Sequence, residues 1–340
     1  MRKIKNMITV FISILIIFGF GEIYFRFIDP QDNMEFIADK DLYWTAKPNQ
    51  KSRILMGSGT QWSPITSINS MGLRGDEIKL GASEKRILFL GDSFTFGEGV
   101  RDNETTPSRL SEILKYNNIS GFNIINGGMR GWGVFQMQRL LNKNFDKFNP
   151  KIVILIFKEG DEIRQPFKSI EEEKQYMKKH IFQNKLREIS KFITWIYRKI
   201  VIIRLRLQKK GVDNFVPVQE INLRKDLISN DLIRIDSINN YCKKNNINFL
   251  LVGWLDKDPR LDSKLTKIFQ DKLIKFNHTN NIPLLLIGES IFPKKYSEDE
   301  LKIAGDGHPT ALSHKLGAGM IFDKLMQLDW LSTQRDDDKL

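Results

Sequence analysis

RILFLGDSFTFGEGV, residues 86–100, carries a short apolar run straight into an acid, a serine and three glycines. Arg86 to Leu90 is apolar on both faces after its first residue, as strands buried in a parallel sheet are. Ligands of open α/β sheets bind at the carboxyl ends of such strands, which is where Asp92 and Ser93 fall. Ser93 therefore has two readings, a helix N-cap or a nucleophile. Gly91, Gly97 and Gly99 favour the second, because a cap alone does not need a backbone free to turn so tightly and approach a ligand. The stretch is not the G-x-S-x-G elbow of the α/β-hydrolase fold.

Outward from this strand, similar runs recur at Phe122–Ile125, Lys151–Phe157, Asn248–Val252 and Ile282–Ile287. Helical patterns separate them, among them Ser108–Tyr116, Gln136–Asn144 and Asp226–Asn245. Five such strands alternating with helices predict a three-layer α/β/α domain around a mostly parallel five-stranded sheet, over about 81–335. Residues 30–80 carry turn signals (DPQDN, KPNQ, MGSG) without periodicity and are expected as an irregular lead-in wrapping the domain. The connection from 158 to 247 is too long for a simple crossover and implies a helical insert at about 165–215.

The charge is as uneven as the connections. The chain has 53 Lys/Arg against 41 Asp/Glu, a net charge of +12. Between Lys174 and Lys210 there are twelve Lys/Arg and one acid, Glu188, so almost all the excess sits in the insert. That concentration argues against a general nucleic-acid binder. Within it, Phe192, Trp195, Tyr197 and Ile200–Ile203 alternate with Arg198, Lys199, Arg204 and Arg206. The pattern fits an interfacial helix drawn to anionic lipid, and equally a helical cap with a solvated basic face, with an anionic glycan as a third candidate partner.

MRKIKNMITVFISILIIFGFGEIYFRF opens the sequence with three basic residues and an uncharged run from Met7 to Gly21, interrupted by Glu22. Residues 1–29 are expected to be a transmembrane anchor, uncleaved because Gly19-Phe20-Gly21 makes a poor processing site. Basic flanks face the cytoplasm, so the body of a single-pass protein would lie outside the cytoplasmic membrane. Cys242 is the only cysteine, which excludes an internal disulfide and a cysteine-based metal cluster.

A nucleophilic serine needs a base, and there are four histidines. His180 lies in the basic insert and His278 just ahead of a strand. GDGHPTALSHKLGAGMIFDKL places His308 in a Gly/Asp/Pro loop before a final helix, with His314 six residues on. Asp306, two residues before His308, can orient it. A lone D-x-H pair is equally at home in turns and metal sites, but no second cluster with ligand spacing accompanies it.

ILFLGDSFTFGEGV resembles the first conserved block of the SGNH (GDSL-type) hydrolases. IINGGMRGWG is similar to the second, N-x-x-x-x-G, and GDGHPTALSH to the last, D-G-H-P. The INSMGLRGDE lead-in and the anchor resemble those of membrane-tethered bacterial members. The resemblance spans roughly Ser67 to the last helix. It implies a flavodoxin-like sheet, Ser93 as nucleophile, His308 as base, Asp306 as orienting acid, and the N–H groups of Ser93 and Gly131 at the oxyanion. No cofactor or metal is implied.

Two positions depart from the family pattern. Its third block ends in an asparagine before an aspartate, whereas VILIFKEGDEIR keeps Asp161 and has Gly160 in the asparagine position. Lys158 or a backbone N–H at Gly160 is the expected substitute at the oxyanion. The acid that many members place three residues before the histidine is here Gly305, which leaves Asp306 or a Ser-His dyad. The implied function is a serine esterase removing a small O-acyl group from a glycan or lipid. The alternatives are an O-acyltransferase on an envelope polysaccharide and, because of Gly160, a binding protein without catalysis.

Overall fold

The structure is a computed structural model and describes residues 2–28, 34–56, 61–78, 85–164, 166, 172, 174–175, 178, 185, 189–209, 218–255 and 263–332. The first helix, Arg2–Ile23, continues as a π turn over Tyr24–Ile28. It is long and apolar enough to cross a membrane.

The lead-in is more ordered than its turn signals imply. It forms six short strands: β1 (Phe36–Asp39), β2 (Tyr43–Ala46), β3 (Gln50–Ser52), β4 (Leu55–Met56), β5 (Gln61–Trp62) and β6 (Thr66–Ile68). They pair antiparallel as β1 with β2, β3 with β6 and β4 with β5. Strands of two to four residues leave no periodicity to read, which is why the sequence presents them as loop. The lead-in reaches the main sheet through Arg74, whose backbone bridges Asn126.

The main sheet holds β7 (Lys85–Gly91), β8 (Phe122–Gly128), β9 (Pro150–Lys158), β10 (Asn248–Trp254) and β11 (Leu284–Ile287), all parallel, in the order β11-β10-β9-β7-β8. These are the five strands expected from the apolar runs. The sheet is buried on both faces, and the alternation of side chains sorts its residues into two cores. Leu88, Leu90, Val153, Leu155 and Phe157 face the layer of Val134–Phe148, Val218–Lys244 and Ser263–Asn280. Ile87, Phe89, Ile154, Ile156 and Trp254 face the layer of Thr106–Tyr116 and Ala311–Gln327.

Strand order reverses between β7 and β9, because the chain goes from β7 outward to β8 and then returns to the other side. Such a switch point opens a crevice at the carboxyl ends of its two strands. Gly91-Asp92-Ser93 leaves β7 there, and Glu159-Gly160-Asp161 leaves β9.

Candidate active site

Asp92, not Ser93, caps the short helix Ser93–Phe96. Its carboxylate accepts the Phe94 N–H at 2.8 Å. The capping duty read for Ser93 thus falls to its neighbour, and the serine hydroxyl is released for other contacts. Gly97 ends the helix at φ +84°, a left-handed conformation that favours glycine. Its N–H donates to Ser93 O at 2.9 Å, so the turn closes directly over the serine.

Arg74 of the lead-in holds this turn from outside. It is almost fully buried, donates through Nη1 to Phe96 O and Gly97 O and through Nη2 to Val100 O (2.7 Å), and pairs with Asp102 at 2.9 Å. The role of this arginine in INSMGLRGDE is not visible in sequence, because its partners are mostly backbone carbonyls some 22–26 residues away.

His308 comes from the loop before the helix Ala311–Gln327, and its Nε2 lies 2.9 Å from Ser93 Oγ. Its Nδ1 is hydrogen bonded to Asp306 Oδ1. With Nδ1–H donating to the carboxylate, the Nε2 lone pair faces the serine hydroxyl, the tautomer a general base requires. The structure thus brings Ser93, His308 and Asp306 into one chain of contacts. His314 does not join them: it is fully buried, and its Nδ1 contacts Thr106 Oγ1 at 2.8 Å. Burial first, then the positive charges of Arg74, His308 and Arg109, push it down to about 3, so it is neutral. His278 lies in the last turn of Ser263–Asn280, at the amino end of the sheet, and His180 falls outside the described residues.

Glu98 is a member of the site that short motifs do not reveal. It is 1% exposed, with Oε2 3.1 Å from Arg130 Nε and 3.7 Å from His308 Nε2. Burial alone would lower the His308 pKa. The hydrogen bond to Asp306 and the charges of Glu98, Asp306 and Asp92 outweigh it, and the imidazole titrates above its ordinary value.

Beneath the serine lies a charged cluster. Arg164 Nη1 bonds Asp92 Oδ2 and Asp161 Oδ1, each at 2.9 Å, and Trp132 O at 3.2 Å. Burial would raise Asp92, but Arg164 and Lys158 hold it down to about 2. For Asp161, burial and then the neighbouring Asp92 charge win, and its pKa stands well above the usual carboxylate range. Asp161 also accepts the Lys158 N–H at 3.0 Å, which fixes the end of β9.

The oxyanion candidates fare differently. Gly131 has φ +78° and sits in a loop clasped by Trp44 of β2. The Trp44 indole N–H donates to Arg130 O at 3.0 Å, and Trp44 O accepts from the Trp132 indole at 3.1 Å. Gly160 is corrected as a donor: its N–H is engaged by Glu162 Oε2 at 2.7 Å. Its φ of +101° also explains the residue type, since an asparagine there would be strained. Lys158 lies beside the gap. A Cβ on residue 160 would have Lys158 Nζ 3.7 Å away, and that ammonium sits 4.5 Å from the centre of the Phe94 ring. Lys158, Ser93 and His308 line one open cleft of about 390 Å³.

No family model matches the chain, and no curated protein matches it. Solved structures do. The esterase EstA from Pseudoalteromonas sp. is 13% identical, with a TM-score of 0.46, covering 74% of this chain and 100% of that one. The lipase/acylhydrolase from Enterococcus faecalis is 13% identical, with a TM-score of 0.44, covering 72% and 96%. A member of the lipolytic protein G-D-S-L family from Veillonella parvula is 13% identical, with a TM-score of 0.41, covering 72% and 97%.

Proposed function

We propose that this chain is a serine esterase of the SGNH type that works through an acyl-serine intermediate. The observation that carries this reading is His308 Nε2 standing 2.9 Å from Ser93 Oγ while its Nδ1 contacts Asp306. Such a pair of contacts is the working arrangement of a nucleophile, its base and an orienting acid.

Ser93 Oγ attacks the ester carbonyl carbon as His308 Nε2 takes the hydroxyl proton, and Asp306 stabilises the imidazolium. The carbonyl oxygen becomes an oxyanion, held by the N–H groups of Ser93 and Gly131 and by the Lys158 ammonium. When the oxyanion collapses, the C–O bond to the alcohol breaks and the alcohol leaves with the proton from His308. Water then attacks the acyl-serine, giving its proton to His308, and the carboxylic acid departs as Ser93 recovers its own. A lysine beside the asparagine's position adds a full positive charge where negative charge develops, which replaces the missing amide donor.

The cleft is at the small end of ligand sites, which favours a small acyl group such as acetyl on a larger glycan or lipid alcohol that extends into solvent. The helix Arg2–Ile23 spans the bacterial cytoplasmic membrane once, with Arg2, Lys3 and Lys5 inside and the catalytic body outside. The direct test is hydrolysis of p-nitrophenyl acetate by the purified full chain in detergent, beside Ser93→Ala. Turnover by the parent and none above background by the variant is the expected result. Equal turnover by the two would overturn the assignment.

A further inference from the structure

Glu22, the acid that interrupts the N-terminal apolar run, has partners far along the chain. It accepts Ser190 Oγ at 2.7 Å, the Lys191 N–H at 3.1 Å and the Phe192 N–H at 3.1 Å. These are groups at the start of the helix Lys191–Lys209, whose first N–H donors have no partners within the helix. The anchor thus supplies the insert helix with a capping carboxylate from 168–170 residues away.

Packing reinforces the join. Phe25 stacks on Trp195 with ring centres 5.1 Å apart, and the edge of Phe18 meets Phe192 at 5.2 Å. At Gly21 even one methyl would press into the Phe192 ring, 2.7 Å away, so the two helices approach closely only because no side chain intervenes.

The join lies where the apolar helix ends, so the insert helix begins at the level at which a span leaves its bilayer. The stripe that covers the anchor with Phe192 and Trp195 continues at helical spacing as Ile196, Ile200 and Ile203. Beyond the anchor its cover is lost: Ile200 and Ile203 are 60% and 56% exposed. Over its 19 residues the helix has six Lys/Arg and no acid. An uncovered apolar stripe on a wholly cationic helix, continuous with a span, fits one neighbour: the anionic lipid surface beside that span.

We propose that the helix Lys191–Lys209 lies on the anionic membrane surface, with Ile200 and Ile203 in the acyl boundary and its cations at lipid phosphates, fixed there by Glu22. The proposal rests on the single-pass reading of Arg2–Ile23. The next described helix, Val218–Lys244, carries Arg224, which pairs with the buried Glu162, the residue that also engages the Gly160 N–H.

The test uses the full chain carrying Ile203→Cys, labelled with an NBD fluorophore and reconstituted into phosphatidylcholine vesicles with and without phosphatidylglycerol. Cys242 is buried and burial pushes its thiol up to about 12, so it stays unlabelled. Tyr116→Cys, at an 87% exposed position, supplies the water-facing reference. The expected result is blue-shifted NBD emission at 203 and quenching by shallow spin-labelled lipid. Quenching should be about twofold stronger with phosphatidylglycerol and weakened when Arg198, Lys199, Arg204 and Arg206 are changed to Gln. Alkaline carbonate extraction reads the anchor separately. A chain retained in the vesicles whose 203 label matches the 116 label would overturn this proposal alone, and a chain released by carbonate would overturn the span as well.

Discussion

Glu98 places a buried carboxylate oxygen 3.7 Å from His308 Nε2, on the nitrogen that also meets Ser93. A negative charge there favours the imidazolium that forms as the serine attacks, but it also favours protonation of the free enzyme. His308 acts as a base only when neutral. Because its pKa is raised, activity is present above that pKa and is lost as pH falls through it, sooner than for an ordinary histidine. Glu98→Gln removes one raising charge, so the acid limb of kcat/KM moves to lower pH. A pH-rate profile on a chromogenic ester checks the direction, and an unmoved limb would show that Glu98 does not act on His308.

Asp306→Asn keeps the size of the side chain but offers a neutral partner to Nδ1. The expected loss in kcat is roughly 10³- to 10⁴-fold with KM little changed, as for orienting acids elsewhere. Comparison with Ser93→Ala separates the two roles. Near-wild-type kcat in Asp306→Asn would mean that Ser93 and His308 suffice as a dyad.

Lys158→Met removes the ammonium beside the vacant asparagine position while keeping much of the stem. A loss of about 100- to 1,000-fold in kcat with KM held is the signature of a group acting on the oxyanion. The companion variant, Gly160→Asn, should not raise activity, because φ of +101° strains any side chain there. Stopped assays of both variants, with circular dichroism to confirm folding, decide between lysine and asparagine at this point.

Arg74→Ala leaves the carbonyls of Phe96, Gly97 and Val100 and the Asp102 carboxylate without their shared donor. Leaving buried acceptors without their donor costs about 1–3 kcal/mol, and more where the lost donor was charged. Arg74→Lys retains the charge but not the fork that reaches several carbonyls, and should recover only part of the loss. Thermal unfolding of the three forms gives the ranking parent, lysine, alanine.

The central sheet is legible because its signal is local: five short runs of apolar residues stand out wherever they occur, the inner strands buried on both faces. Ser93 and His308 stand out as candidates because each lies in a short motif, one directly after a strand and the other in the loop ahead of the last helix. What escaped the sequence depends on tertiary neighbours. Glu98 acquires its role from a histidine 210 positions away, and Arg164 from two aspartates that only the switch point brings together. The place of Gly160 in its motif suggests a donor, yet Glu162, two residues on, takes its N–H. The lead-in strands leave no trace in the sequence because two to four residues cannot display a period, and their order comes from what they pack against.

The Trp44 clasp bears on how the molecule can be shortened. Its two indole contacts fasten the segment Arg130–Trp132 from a part of the chain that precedes the main sheet. A truncated form starting at Lys85 would retain Ser93, Asp306 and His308 but let the Gly131 loop drift, so inactivity in such a form would say nothing against the proposed roles of those three residues. Separating the α/β body from the apolar N-terminal helix without that penalty requires a cut ahead of Met34, a residue already 1% exposed within the core.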